Sequence, residues 1–79
     1  MKLVKLYKPA CPPCERVENL LQDKGVVYES YNVQLSPEKA SEFMVMGTPV
    51  TILLDDQDKE VKRSIGYNEE ELVEMIEQL

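Results

Sequence analysis

Cys11 and Cys14 are the only cysteines of the chain, with two residues between them in the run Lys8-Pro9-Ala10-Cys11-Pro12-Pro13-Cys14. A Cys-x-x-Cys pair can cycle between dithiol and disulfide, supply half of a zinc site, or staple a short loop. Zinc wants four ligands, and a chain with two Cys and no His supplies them only by dimerising. A purely structural disulfide closing so short a loop constrains little chain. Two plain buried thiols are a further reading, since free Cys is commonly buried. The surroundings favour redox chemistry, because an apolar segment precedes the pair and a helical pattern follows it. Cys11 then falls at a helix entrance, where unpaired N–H groups and the positive end of the dipole stabilise a thiolate. Cys14, one turn inside, is expected to be less exposed and within reach of a mixed disulfide. Cys11 is therefore the candidate attacking sulfur and Cys14 the resolving one.

The intervening prolines carry an expectation of their own. Proline has no N–H, so Pro12 and Pro13 donate nothing to a Cys11 thiolate, leaving Cys14 and Glu15 as the nearest backbone donors. A less stabilised thiolate favours the disulfide form, which makes a reducing protein rather than a strong oxidant. Pro12 precedes another proline and resists the helical conformation, placing the helix start at Pro13 or later. Lys8, three residues before Cys11, offers a positive charge to the thiolate or to an incoming carboxylate; as an ordinary surface lysine it would do little.

The elements that must hold these residues are legible in the pattern. Lys2 to Tyr7 is short, apolar-rich and stopped by Pro9, as a buried strand should be. Val17, Leu20 and Leu21 give the stripe of a first helix ending near Lys24, with Gly25 as its stop. Val26 to Val33 has strand composition. Ser36-Pro37 opens a short helix through about Val45, which Met46-Gly47-Thr48-Pro49 breaks. Val50 to Leu54 and Lys59 to Ile65 form a hairpin across Asp55-Asp56-Gln57-Asp58. Asn68 and Glu71 read as a capping box opening a last helix with Leu72, Val73, Met75, Ile76 and Leu79 inward. The order β-α-β-α-β-β-α calls for an α/β fold, a mixed four-stranded sheet with helices on both faces, as one domain over residues 1–79.

Bulk properties remove other classes. Net charge is −6, with 15 Asp and Glu against 9 Lys and Arg, which opposes binding to a phosphate backbone. No apolar run approaches the roughly 20 residues of a membrane span, and Met1 to Leu6 is too short for a signal peptide. A cytoplasmic monomer is expected. Met44 and Met46 read as flexible filler rather than as a metal feature.

These residues together resemble the thioredoxin superfamily over nearly the whole chain. The resemblance rests on Lys8 to Cys14, on Gly47-Thr48-Pro49-Val50, and on the closing hairpin, Gly66 and helix. It implies a cis bond between Thr48 and Pro49 facing the disulfide, with the Thr48 backbone pairing to an extended substrate strand. A proline at the first residue of a strand is the plainer explanation. The length resembles glutaredoxins and the redoxins that serve ribonucleotide reductase. Thioredoxins carry a Trp just before the first Cys and an acid six residues before it, where this chain has Ala10 and Lys5. Glutaredoxins bind glutathione with a basic residue, matched by Lys8, a Thr-x-Pro segment, approximated by Thr48-Pro49, and a Gly-Gly-x-x-Asp stretch. Gly66-Tyr67-Asn68-Glu69 stands in place of the last.

The resemblance thus implies a dithiol–disulfide oxidoreductase acting on disulfide-containing proteins, with no metal or organic cofactor. A flavoprotein of the thioredoxin reductase type is the expected reductant, with glutathione the alternative. Tyr67 flanks the site as a docking aromatic or packs as a half-buried ring. A non-catalytic module using the Pro49 face as a docking groove is the rival from another class.

Overall fold

The computed structural model covers residues 1–79. Its elements are β1 (Lys2–Tyr7), α1 (Pro12–Asp23), β2 (Tyr28–Asn32), α2 (Pro37–Glu42), β3 (Val50–Leu54), β4 (Glu60–Ile65) and α3 (Glu69–Glu77). The expected order is observed. The sheet runs β2-β1-β3-β4, with β1 parallel to β2 and antiparallel to β3, and β3 antiparallel to β4.

Strand composition explains this order. β1 and β3 are buried along nearly their whole length and hold the centre, where both faces are covered. The polar strands YESYN and EVKRSI take the edges, where charges discourage pairing with another chain. Period-two alternation divides the core into two. On one face Leu3 and Leu53 pack with Val17, Leu20 and Leu21 of α1 and Leu72 and Met75 of α3. On the other, Val4, Leu6, Val50, Ile52 and Leu54 meet Tyr31, Val33, Phe43 and Val45, the last two lying just beyond α2. Each fully buried aliphatic side chain contributes about 1.5–3 kcal/mol relative to exposure.

Four local expectations are corrected. Helix α1 begins at Pro12, because the amides at its first two positions would lack an intrahelical partner anyway, so two prolines there sacrifice no hydrogen bond. Helix α2 ends at Glu42 with Phe43 as its cap, and Met44 turns the chain out at a φ of 53°. Strand β2 is shorter than the Val-rich run from Val26 to Val33, since it pairs only along Leu3 to Tyr7 of β1. The capping box at α3 is half formed: Asn68 Oδ1 accepts the Glu71 N–H at 3.1 Å, while the Glu71 carboxylate accepts from Ser64 Oγ at 2.9 Å instead of turning back. In the β3–β4 hairpin, Asp55 Oδ1 accepts the N–H groups of Gln57 and Lys59 at 2.8 and 2.9 Å.

Candidate redox site

Strand β1 delivers the chain to one end of the sheet, at its centre, and Ala10, at a φ of 53°, turns it into α1. Cys11 is the N-cap of that helix in an extended conformation, and its Sγ accepts the Cys14 N–H at 3.3 Å. Sulfur thus takes the place a Ser or Asp oxygen holds at an ordinary N-cap. The Glu15 N–H donates to the Cys11 carbonyl at 3.1 Å, so Glu15 is not the second sulfur donor that the sequence allowed. Cys11 and Cys14 are joined in a disulfide with their Cα atoms 5.2 Å apart. Their exposures, 5% and 4%, do not differ as the sequence led one to expect, because the disulfide draws both sulfurs against the fold. Pro12 and Pro13 are exposed on the outer side of the first turn.

The segment before β3 reaches the disulfide from the far side. The Thr48–Pro49 bond is cis, Pro49 is buried, and Thr48 Oγ1 stands 4.0 Å from Cys11 Sγ. Sequence reasoning foresaw the backbone of Thr48 here but not its hydroxyl. The Pro49 carbonyl accepts the Gly66 N–H at 2.8 Å, which ties the end of β4 to this segment. Gly66 has a φ of 77°, a conformation open to glycine at no steric cost. Tyr67 follows it, at the border between half-buried and exposed, and lines none of the cavities near the disulfide. Met44 and Met46 are exposed, as surface filler should be.

Lys8 is exposed, forms no ion pair, and borders two hollows beside the disulfide. One, of about 160 Å³, extends past Met46, Gly47 and Thr48. The other, of about 330 Å³, is lined by both cysteines, Lys8 and Glu15, and has Lys5 and Glu18 among its walls.

Those last two residues form a pair that sequence reasoning missed. Lys5 points from the middle of β1 into the α1 side and is only 3% exposed. Its Nζ is ion-paired with Glu18 Oε2 and lies 4.7 Å from the Tyr7 ring centre and 5.6 Å from that of Tyr28. Glu18 Oε1 accepts from Tyr28 Oη at 2.7 Å and from Gln22 Nε2 at 2.8 Å. Burial alone would raise the Glu18 carboxyl, but the hydrogen bonds from Lys5, Tyr28 and Gln22 outweigh it and hold the group below its ordinary value. Burial and the Glu18 carboxylate push the Tyr28 phenol up to about 12. The signal was present: Lys5 is the one charge inside the β1 core run, and Glu18 lies four residues after Cys14, on the same helix face.

Comparison with known proteins agrees with this geometry. The glutaredoxin family pattern matches residues 2–52. The SPbeta prophage-derived thioredoxin-like protein YosR of Bacillus subtilis is 47% identical over 79 residues, spanning 100% of this chain and 99% of that protein. Among solved structures, oxidised mitochondrial thioredoxin 3 of Saccharomyces cerevisiae superposes with a TM-score of 0.80 at 27% identity, covering 98% of this chain and 76% of its own. NrdH-redoxin of Escherichia coli, a glutaredoxin-like protein with a thioredoxin-like activity profile, superposes at 0.77 with 19% identity, covering 94% and 93%. With a family pattern over most of its length and a paired Cys-x-x-Cys at a helix entrance, this chain belongs to the glutaredoxin family, on a thioredoxin-like fold, and is a thiol–disulfide redox protein.

Proposed function

We propose that the protein is a dithiol electron carrier that reduces disulfides of other proteins, with Cys11 attacking and Cys14 resolving. The observation that carries this reading is the placement of Cys11 Sγ: it caps α1, accepts the Cys14 N–H, and faces Thr48 across 4.0 Å. The Cys11 thiolate attacks a target disulfide, forming a mixed disulfide and releasing one target sulfur. Cys14 then attacks Cys11 Sγ, the intermolecular bond breaks, and the target leaves as a dithiol. The half-buried Thr48 side of the cis-Pro49 segment receives the target as an extended strand, with Lys8 and Tyr67 at the margins and Pro12 and Pro13 forming the outer rim. The proposed setting is the cytoplasm, where dithiols are kept reduced.

The proposed reductant is a flavoprotein of the thioredoxin reductase type. Support comes from the start of α3, where Asn68 is used as a helix cap and Glu69, Glu70 and Glu71 fill the first turn. Glutathione is anionic and would meet negative charge there. The thioredoxin-like activity profile of NrdH-redoxin, which shares the fold, points the same way, and a ribonucleotide reductase disulfide is one target of the proposed class. A coupled NADPH assay on the oxidised protein tests this, comparing thioredoxin reductase with glutathione plus glutathione reductase. Turnover with the first alone is expected; turnover with glutathione alone makes the protein a glutathione-dependent glutaredoxin.

A further inference from the structure

The cavity beside the disulfide contains a charged pair that the dithiol cycle does not use. Parallel pairing of β1 with β2 requires α1 to run back along β1, so successive turns of α1 lie against successively earlier residues of the strand. Leu21 and Val17 pack on Leu3. Glu18 is paired with Lys5. Cys14 lies one turn further toward the site, and a helical side chain leans toward the N-terminal turn, which aims Glu18 along the face that Cys14 shares. Lys5, Glu18 and Cys14 border one cavity.

The other charged or titratable groups lining this cavity are Tyr7 on β1, Lys8 in the loop, Glu15 on α1 and Cys11, whose sulfur is tied up in the mixed disulfide when Cys14 acts. Tyr28 on β2 is bound to Glu18. On α3, Glu71 is occupied by Ser64. Lys5 is therefore the buried cation of this region, and Glu18, half-buried, is the anion paired with it. Lys5 and Glu18 are fixed in place by each other and by two tyrosine rings, and from the buried Lys5 side the pair is less screened than a surface pair would be.

We propose that the Lys5–Glu18 pair sets the acidity of Cys14, the resolving thiol, with Lys5 favouring its thiolate and Glu18 opposing it. This rests on the dithiol cycle described above. Both act through Cys14 and are positioning residues. In the step they govern, the Cys14 thiol releases its proton to solvent through the open cavity. Its thiolate attacks Cys11 Sγ, the Cys11–Cys14 bond forms, and the bond from Cys11 to the target sulfur breaks. The target sulfur leaves as a thiolate carrying the electron pair of that bond. Because the two charges offset, removal of either unmasks the other.

The test uses the reduced full chain and an aromatic disulfide reagent whose thiolate is coloured. Attack by Cys11 releases one equivalent and resolution by Cys14 a second, so the pH dependence of the second phase reports on Cys14. Lys5→Met is expected to shift that dependence upward by about one pH unit, and Glu18→Gln downward by about as much. The double variant should return close to the wild-type profile. Single variants that shift it the same way, or not at all, overturn the proposal, because a merely structural pair has no sign. If Lys5→Met does not fold, the double variant must still lie above Glu18→Gln, and coincidence of the two overturns it. Wild-type protein that releases only one equivalent overturns the dithiol cycle itself.

Discussion

The Cys14 N–H donates to Cys11 Sγ at 3.3 Å, and it is the one backbone group that does so. Pro12 and Pro13 have no N–H, and the Glu15 N–H is held by the Cys11 carbonyl. An N-cap acceptor ordinarily takes a hydrogen bond from the second or third helical residue. Pro13→Ala restores a donor at the second position. The Cys11 thiolate should gain a charge-assisted hydrogen bond and its pKa should fall by roughly one unit. The same change favours the dithiol form, making the protein a weaker reductant. Alkylation rate against pH checks the first, and equilibration with glutathione the second. An unchanged Cys11 profile would sink the role given to the prolines.

Acid should weaken the fold in part through Glu18. Its carboxyl lies below its ordinary value of 4.5 in the folded chain, so unfolding takes up a proton in that range. The contribution is complete above about pH 4.5 and is lost as pH falls through the lower folded value. Urea midpoints across the acid limb should therefore fall less steeply for Glu18→Gln than for wild type.

Alkali should reveal Tyr28 as a late-titrating phenol. Held neutral by burial and by the Glu18 carboxylate, it ionises at about 12 against an ordinary 10.0. Its contribution to stability is intact below 10.0 and is lost as pH rises toward 12. Ultraviolet titration should show a phenolate component near the upper end that Tyr28→Phe abolishes.

Thr51 is fully buried between Lys5 and Ser64 in the sheet register, and its Oγ1 has no hydrogen-bond partner. Thr51→Val keeps the shape and removes an unsatisfied oxygen. Stability in urea should be unchanged or rise by about 1 kcal/mol. Leu53→Ala, two positions along and in the main core, should instead cost about 2–5 kcal/mol.

How much of this was legible beforehand depends on whether the determining contacts are local. Strand β1, the β3–β4 hairpin and the Cys11 cap follow from short-range pattern, and the sequence reveals them. The start of α1 is not legible from the steric preference of Pro12 alone, because the Cys11 N-cap makes prolines harmless there. Sequence spacing pairs Glu71 with Asn68, but Ser64 from β4 offers a donor that only the folded sheet brings near. In the sequence Lys5 stands out only as a lysine where thioredoxins carry an acid. Its partner comes from α1, 13 positions away, and no periodicity within either element pairs them. Thr48 entered through resemblance, and the structure adds the hydroxyl that stands near Cys11.

The division of labour between the two sulfurs is the central claim, and trapping tests it most directly. Reduced Cys14→Ser protein, mixed with a disulfide-bonded protein in the absence of glutathione, should accumulate a mixed disulfide that peptide mass spectrometry assigns to Cys11. Cys11→Ser should form none, and wild type should pass through it without accumulation. Normal turnover by Cys14→Ser, or an adduct formed equally fast on Cys14 in the Cys11→Ser protein, would contradict the account.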